Sequence, residues 1–129
     1  MVRFSVIRAN VGTRPDDRTL PIETFSSETG EWRELLLTSP STFNLVPFSI
    51  CNVIDGIIYW QALGGLVAAY DPSMKEDRLW LIELPQAQIG AMGQSSDGLL
   101  QCAIDHAVAF VVWVLRKKLS WFFRDYTRQ

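Results

Sequence analysis

The chain has 129 residues, 48% hydrophobic, 20% charged and 12% aromatic, with a formal net charge of −2. That length suits one domain with a real core, and the aromatic and β-branched content excludes disorder as the dominant state. Two cysteines are too sparse for a secreted disulfide scaffold. The longest apolar run, Ala107–Leu115, is too short for a bilayer-spanning helix, and Arg3 and Arg8 interrupt any signal-peptide core at the N-terminus. These features predict a soluble domain, cytoplasmic or nuclear, without a membrane partner.

In chain order the pattern is one of strands. Met1–Arg8 alternates, with Val2, Phe4 and Val6 on one face and Arg3, Ser5 and Ile7 on the other. Ala9–Leu20, with Gly12, Pro15 and Asp16-Asp17, reads as a loop. Ile22–Ser26 and Trp32–Leu37 read as a hairpin around Glu28-Thr29-Gly30, where glycine supplies positive φ. Thr38–Pro47 is a second loop. Beyond it, Ser49–Ile54 and Ile57–Leu63 flank Asp55-Gly56, a strong two-residue hairpin signal. Gly64-Gly65 turns into Leu66–Tyr70, Asp71-Pro72 breaks the run, and Arg78–Leu84 is the next strand, closed by Pro85. Asp97-Gly98 then leads into Leu99–Ile104, followed by Ala109–Leu115 and Leu119–Phe123. Helical alternatives survive for Gln86–Met92 and Arg116–Arg124. Runs such as IIYW and FVVW are apolar on both faces, which predicts sheets covered on both sides. The fold class is all-β.

The segments repeat. Asp55-Gly56 and Asp97-Gly98 lie 42 residues apart, and each precedes an apolar strand. Tyr70 and Trp113 end later strands 43 apart, and Trp80 and Trp121 follow turns 41 apart. Phe25, the Glu28–Gly30 turn and Trp32 form an earlier copy of the same half-unit. A period in the forties with about four short strands per unit is the arithmetic of a β-propeller blade. A small four-stranded sheet cannot bury both faces alone, and stacked blades cover one another. The expectation is a partial propeller of about three blades, with Trp32, Trp80 and Trp121 at equivalent places in successive sheets. Residues 1–20 would be the end of an incomplete blade plus a loop, 21–123 the blade repeats and 124–129 a tail.

The same residues resemble a known family. FSSETGEWREL (Phe25–Leu35), VIDGIIYW (Val53–Trp60), LVAAYDP (Leu66–Pro72) and IELP (Ile82–Pro85) are similar to the associated domain of plant F-box proteins. GQSSDGLLQCA (Gly93–Ala103), VWVL (Val112–Leu115) and Trp121 continue in the family's order, so the resemblance covers Pro21 to Phe123. It implies a kelch-like β-propeller that binds the protein substrate of a cullin-based ubiquitin ligase, with no catalysis of its own. An F-box opens with Leu-Pro and an amphipathic helical stretch, and neither Leu20-Pro21 nor Leu84-Pro85 is followed by one. Adaptor binding is therefore not expected.

Candidate chemistry is sparse. His106, the single histidine, beside Asp105 invites a general-base reading with Ser95, Ser96 or Cys102 as nucleophile. Its position between two strands favours a polar hairpin turn instead. Cys51 and Cys102 lie in apolar strand segments and are expected to be buried small hydrophobes. Asp16-Asp17 and Glu76-Asp77 lack calcium-ligand spacing, and no CxxC, Walker or GxGxxG pattern occurs. No catalytic, cofactor or metal residue is assigned. Arg116, Lys117, Lys118, Arg124 and Arg128 with Trp121, Phe122, Phe123 and Tyr126 could suggest nucleic acid, but so short a basic run is the mark of a solvated face.

The function predicted is a protein-interaction module, its binding face on loops such as Thr38–Pro47 and Ser73–Asp77. The alternative is a lectin-like or small-ligand β-domain using exposed tryptophans. Open blade faces and edges further predict a marginally stable chain that self-associates.

Overall fold

A computed structural model describes residues 5–46, 51–84, 91–94, 98–105, 109–116 and 120–127. Among these residues, eleven strands form three antiparallel sheets. The first contains β1 (Ser5–Ala9), β2 (Thr19–Ser26) and β3 (Glu31–Thr38) in that order. The second contains β4 (Asn52–Ile54), β5 (Ile57–Ala62), β6 (Leu66–Tyr70) and β7 (Trp80–Glu83). The third contains β8 (Ala91–Gln94), β9 (Leu100–Asp105), β10 (Ala109–Arg116) and β11 (Ser120–Thr127). Each is a meander whose spatial order follows the chain. No helix among the described residues is long and apolar enough to cross a membrane.

The turns form where glycine releases the backbone. Asp55 at φ 52° and Gly56 at φ 77° make the paired positive-φ turn that matches strand twist in a two-residue hairpin. At the β2–β3 turn, Gly30 adopts φ 70° and its N–H donates to the Ser26 carbonyl at 2.8 Å. The Ser26 and Thr29 hydroxyls accept the Glu28 and Glu31 N–H groups at 3.2 and 3.3 Å. That accounts for the Ser and Thr of the Ser-x-Glu-Thr-Gly motif, because each hydroxyl satisfies a donor the turn leaves unpaired.

Two cores hold the sheets together. Leu20, Ile22 and Leu37 of the first sheet meet Ile58, Trp60, Ala62, Ala68 and Tyr70 of the second. The opposite face of the second sheet offers Ile57, Tyr59, Val67, Ala69 and Ile82 to Leu100 and Cys102 of the third. The middle sheet is thus buried on both faces, which is why IIYW carries no alternation. The order is first, second, third: a stack of blades, in which β4 and β8 open the second and third sheets.

Several expectations are corrected. Met92 lies in strand β8, opposite Cys102, and Arg124 lies in β11, opposite Val112, so neither helical alternative stands for the described residues. The aromatic run of β11 suits a pleated surface, and the strand runs on to Thr127, beyond the expected end at Phe123. Strand β2 begins at Thr19 and contains Pro21. Pro21 accepts from the Asn10 N–H at 2.8 Å but has no N–H to return, so pairing with β1 stops there. Cys51 is exposed, just ahead of the short inner strand β4 rather than within a covered one.

The tryptophans are corrected in part. Trp32, Trp80 and Trp121 all lie on the last strand of three successive sheets. Trp32 pairs with Phe25, but Trp80 pairs with Ala69, one residue before Tyr70. A one-residue offset reverses the face. Trp80 therefore packs against the second core, facing the following sheet, whereas Trp32 points away from the second sheet and is 48% exposed.

Candidate functional site

The two loops expected to bind a partner meet in the structure. At the end of β3, the Thr38 N–H donates to the Asp77 carbonyl at 2.9 Å, and the Leu79 N–H donates to the Thr38 carbonyl at 2.7 Å. Pro40 from one loop and Asp71, Met74, Glu76, Arg78 and Trp80 from the other line a cleft of about 140 Å³. Its floor is well built. Asp71 is buried and its carboxylate accepts from the Ser73 N–H at 3.0 Å and the Ser73 hydroxyl at 2.6 Å, capping the single turn Pro72–Met74. Pro72 fits the first position of that turn, where a missing N–H costs nothing, so the Tyr-Asp-Pro motif is a strand end followed by a capped turn. Burial pushes the Tyr70 phenol above its ordinary value, with Asp77 and Asp71 adding repulsion. Met74 and Glu76 at the mouth are exposed, and Arg78 approaches Glu76 at 3.8 Å.

Only part of the first loop is open. Phe43 and Leu45 are buried in the first core. The segment is tied down by Ser39 N–H to the Arg18 carbonyl, Phe43 N–H to the Asp17 carbonyl and Val46 N–H to the Gln61 carbonyl, at 2.8, 3.0 and 2.9 Å. Arg14 adds a clamp: its guanidinium lies 4.3 Å from the Phe43 ring centroid and donates to the carbonyls of Thr19 and Phe43 at 2.8 and 2.9 Å. Residues 41–46 therefore act as a strap across two sheets. The alternation Phe43-x-Leu45 within a polar stretch was the signal for it.

A second surface is the far face of the first sheet. Register sets Val6, Phe25 and Trp32 in one row, and Arg8, Glu23 and Glu34 in the next. Phe25 and Trp32 rings lie 5.3 Å apart, tilted by 47°. The Arg8 guanidinium sits 4.8 Å from the Trp32 centroid and donates to Glu23 at 2.7 Å. Hydrogen bonds from Asn10 and then Arg8 hold the Glu23 carboxyl below its ordinary value.

Of the catalytic candidates, only Cys102 and Asp105 lie among the described residues. Cys102 is fully buried and its thiol is pushed up to about 12 by desolvation, the opposite of an activated nucleophile. Asp105 ends β9, while Ser95, Ser96 and His106 lie outside the described residues. Asp16 shapes a turn, accepting the Arg18 N–H at 2.8 Å. No group of side chains among the described residues could hold a metal ion.

Stacked meanders with faces shared between neighbours define a β-propeller segment. The family described as F-box protein At3g26010-like, beta-propeller, matches residues 1–124, and the chain belongs to it. The chain is 34% identical over 118 residues to the F-box protein At5g03970 of Arabidopsis thaliana, an alignment covering 88% of this chain and 28% of that protein. The chain thus spans less than a third of that relative's length. No solved structure matches.

Proposed function

We propose that the chain is a non-catalytic protein-recognition module, the substrate-binding part of an F-box-type receptor of a cullin-based ubiquitin ligase. Membership of the propeller family supports the interaction role. The observation that carries the reading is the cleft between the Thr38–Pro40 and Asp71–Trp80 segments, rigid beneath and chemically mixed at the mouth. At about 140 Å³ it accepts one side chain of a partner, well below the roughly 300 Å³ at which small-ligand pockets begin. Trp32 makes a poor sugar platform, because Arg8 already lies over its ring. The protein works in the cytoplasm or the nucleus on this reading.

The test is affinity capture from plant extract with the full chain, beside the double variant Met74→Asp, Glu76→Arg and a glycan array. Proteins retained by the native chain and lost with the variant, without a glycan signal, are expected. Identical retention by both chains, or selective glycan binding, would refute the assignment.

A further inference from the structure

The lining of the cleft between the first two sheets is of two kinds. Pro40, Met74, Leu79 and Trp80 supply apolar surface, and Asp71, Glu76 and Arg78 supply two carboxylates against one guanidinium. The carboxylates differ in depth, since Asp71 is buried whereas Glu76 is exposed at the mouth. Ser73 donates twice to Asp71 Oδ1, at 3.0 and 2.6 Å. An ionised carboxylate offers about four acceptor positions, and both Ser73 donors are neutral, so these bonds aim the carboxylate without cancelling its charge. Asp77 stands close by. Burial raises the Tyr70 phenol, and Asp77 and Asp71 raise it further, so the potential at the end of β6 is negative. Arg78 does little to offset it. Its guanidinium lies 3.8 Å from Glu76, and the two side chains are 69% and 55% exposed. An exposed pair this loose contributes little and leaves Glu76 open to a better-placed cation.

Given the protein-recognition role above, on which this rests, we propose that the cleft takes one basic side chain, lysine or arginine, from the partner. Such a side chain carries an apolar stem and a charged tip, so it answers both kinds of lining. The stem lies along Pro40, Met74 and Trp80, and the tip reaches the carboxylates of Asp71 and Glu76. An aliphatic residue would leave both carboxylates facing an uncharged group, and an acidic residue or a phosphate would meet like charge. The chain assembles the same three groups elsewhere from its own residues. Arg8 lies 4.8 Å from the Trp32 ring centroid while donating to Glu23 at 2.7 Å. The cleft presents the indole and the carboxylates, and the partner brings the cation.

NMR titration of the full 129-residue chain tests this, followed at the Met74 methyl and the Trp80 indole. The probes are the N-acetyl amides of arginine and lysine, beside those of norleucine, which keeps the stem without the charge, and glutamate. Saturable shifts with both cations, or with one of them, and none with the other two are expected. Glu76→Gln should raise the cation's dissociation constant roughly threefold, as loss of one exposed charge contact does. Glu34→Gln, at an exposed acid on β3, should leave it unchanged. No saturable shift with either cation, equal shifts with norleucine or glutamate, an unweakened Glu76→Gln or equal weakening by Glu34→Gln overturns the proposal. Those failures leave the recognition role standing wherever captured proteins are still lost with Met74→Asp, Glu76→Arg. Failed capture beside a saturable, Glu76-dependent cation shift sinks that role and keeps the cation site.

Discussion

Replacing Gly56 by valine isolates the conformational demand of the Asp55-Gly56 hairpin. A Cβ built at Gly56 meets no atom within 4 Å, so steric collision contributes nothing. What remains is the backbone: Gly56 sits at φ 77°, where an L-residue is disfavoured by about 1–2 kcal/mol and a β-branched one most of all. Loss of glycine's freedom in the unfolded chain offsets about 0.4–1 kcal/mol of this. The net destabilisation is about 1 kcal/mol, which lowers the melting temperature by about 4 °C for a chain of this size. Gly12→Ala provides the opposite sign. Gly12 lies in the short turn Val11–Thr13, is absent from the positive-φ set and also has open space at its Cβ. Only the unfolded-state gain operates there, and a rise of about 2–4 °C is expected. Thermal melts followed by circular dichroism, under one buffer and one concentration, measure both. An unchanged melt for Gly56→Val, or a loss of stability for Gly12→Ala, would refute the assignment of these costs to φ.

The two thiols should separate under a disulfide exchange reagent at mildly alkaline pH. Cys51 reacts in the folded chain and Cys102 only after unfolding, because Cys102 is buried and its thiol is pushed up to about 12; equal native rates would contradict the second core. Glu23 should titrate below its ordinary value of 4.5 when followed by carboxyl NMR, and Asn10→Ala should move the midpoint upward. Because the folded value is depressed, Glu23 contributes stability above the unfolded value that is lost as pH falls through the folded one. A midpoint at or above 4.5 in the native chain would break that linkage.

What the sequence made legible were the features decided locally. Asp55-Gly56 announces its turn because few other pairs tolerate positive φ in succession, and the two-faced run Ile57–Trp60 announces a sheet covered on both sides. The two loops expected to bind a partner were placed by the same punctuation, and the structure joins them at Thr38 and Asp77. Features decided by register were not legible. Equal spacing located Trp32 and Trp80 on matching strands but could not separate opposite faces, since one residue of offset inverts them. Cys51 looked buried because its neighbours are apolar, yet it precedes a three-residue strand at the sheet's edge. The strap through Phe43 and Leu45 left only that short alternation as a signal, since its anchoring runs through backbone bonds to Asp17, Arg18, Gln61 and Leu63 that no side-chain pattern announces.

The doubly covered middle sheet has a consequence for how the chain finds its pairing. Ile58, Trp60 and Ala62 of β5 belong to one core, and Ile57 and Tyr59 belong to the other. A one-residue slip in most sheets turns a greasy face to water and is rejected by exposure alone. In β5 both faces are greasy, so exposure would hardly distinguish the slipped hairpin from the native one. Discrimination falls instead to shape: the slip would press Tyr59 and Ile57 into the space fitted to Trp60 and Ile58, and the reverse on the other side. Two unlike cavities, each cut for different side chains, therefore proofread one hairpin from opposite directions, and a misregistered β5 docks with neither neighbour.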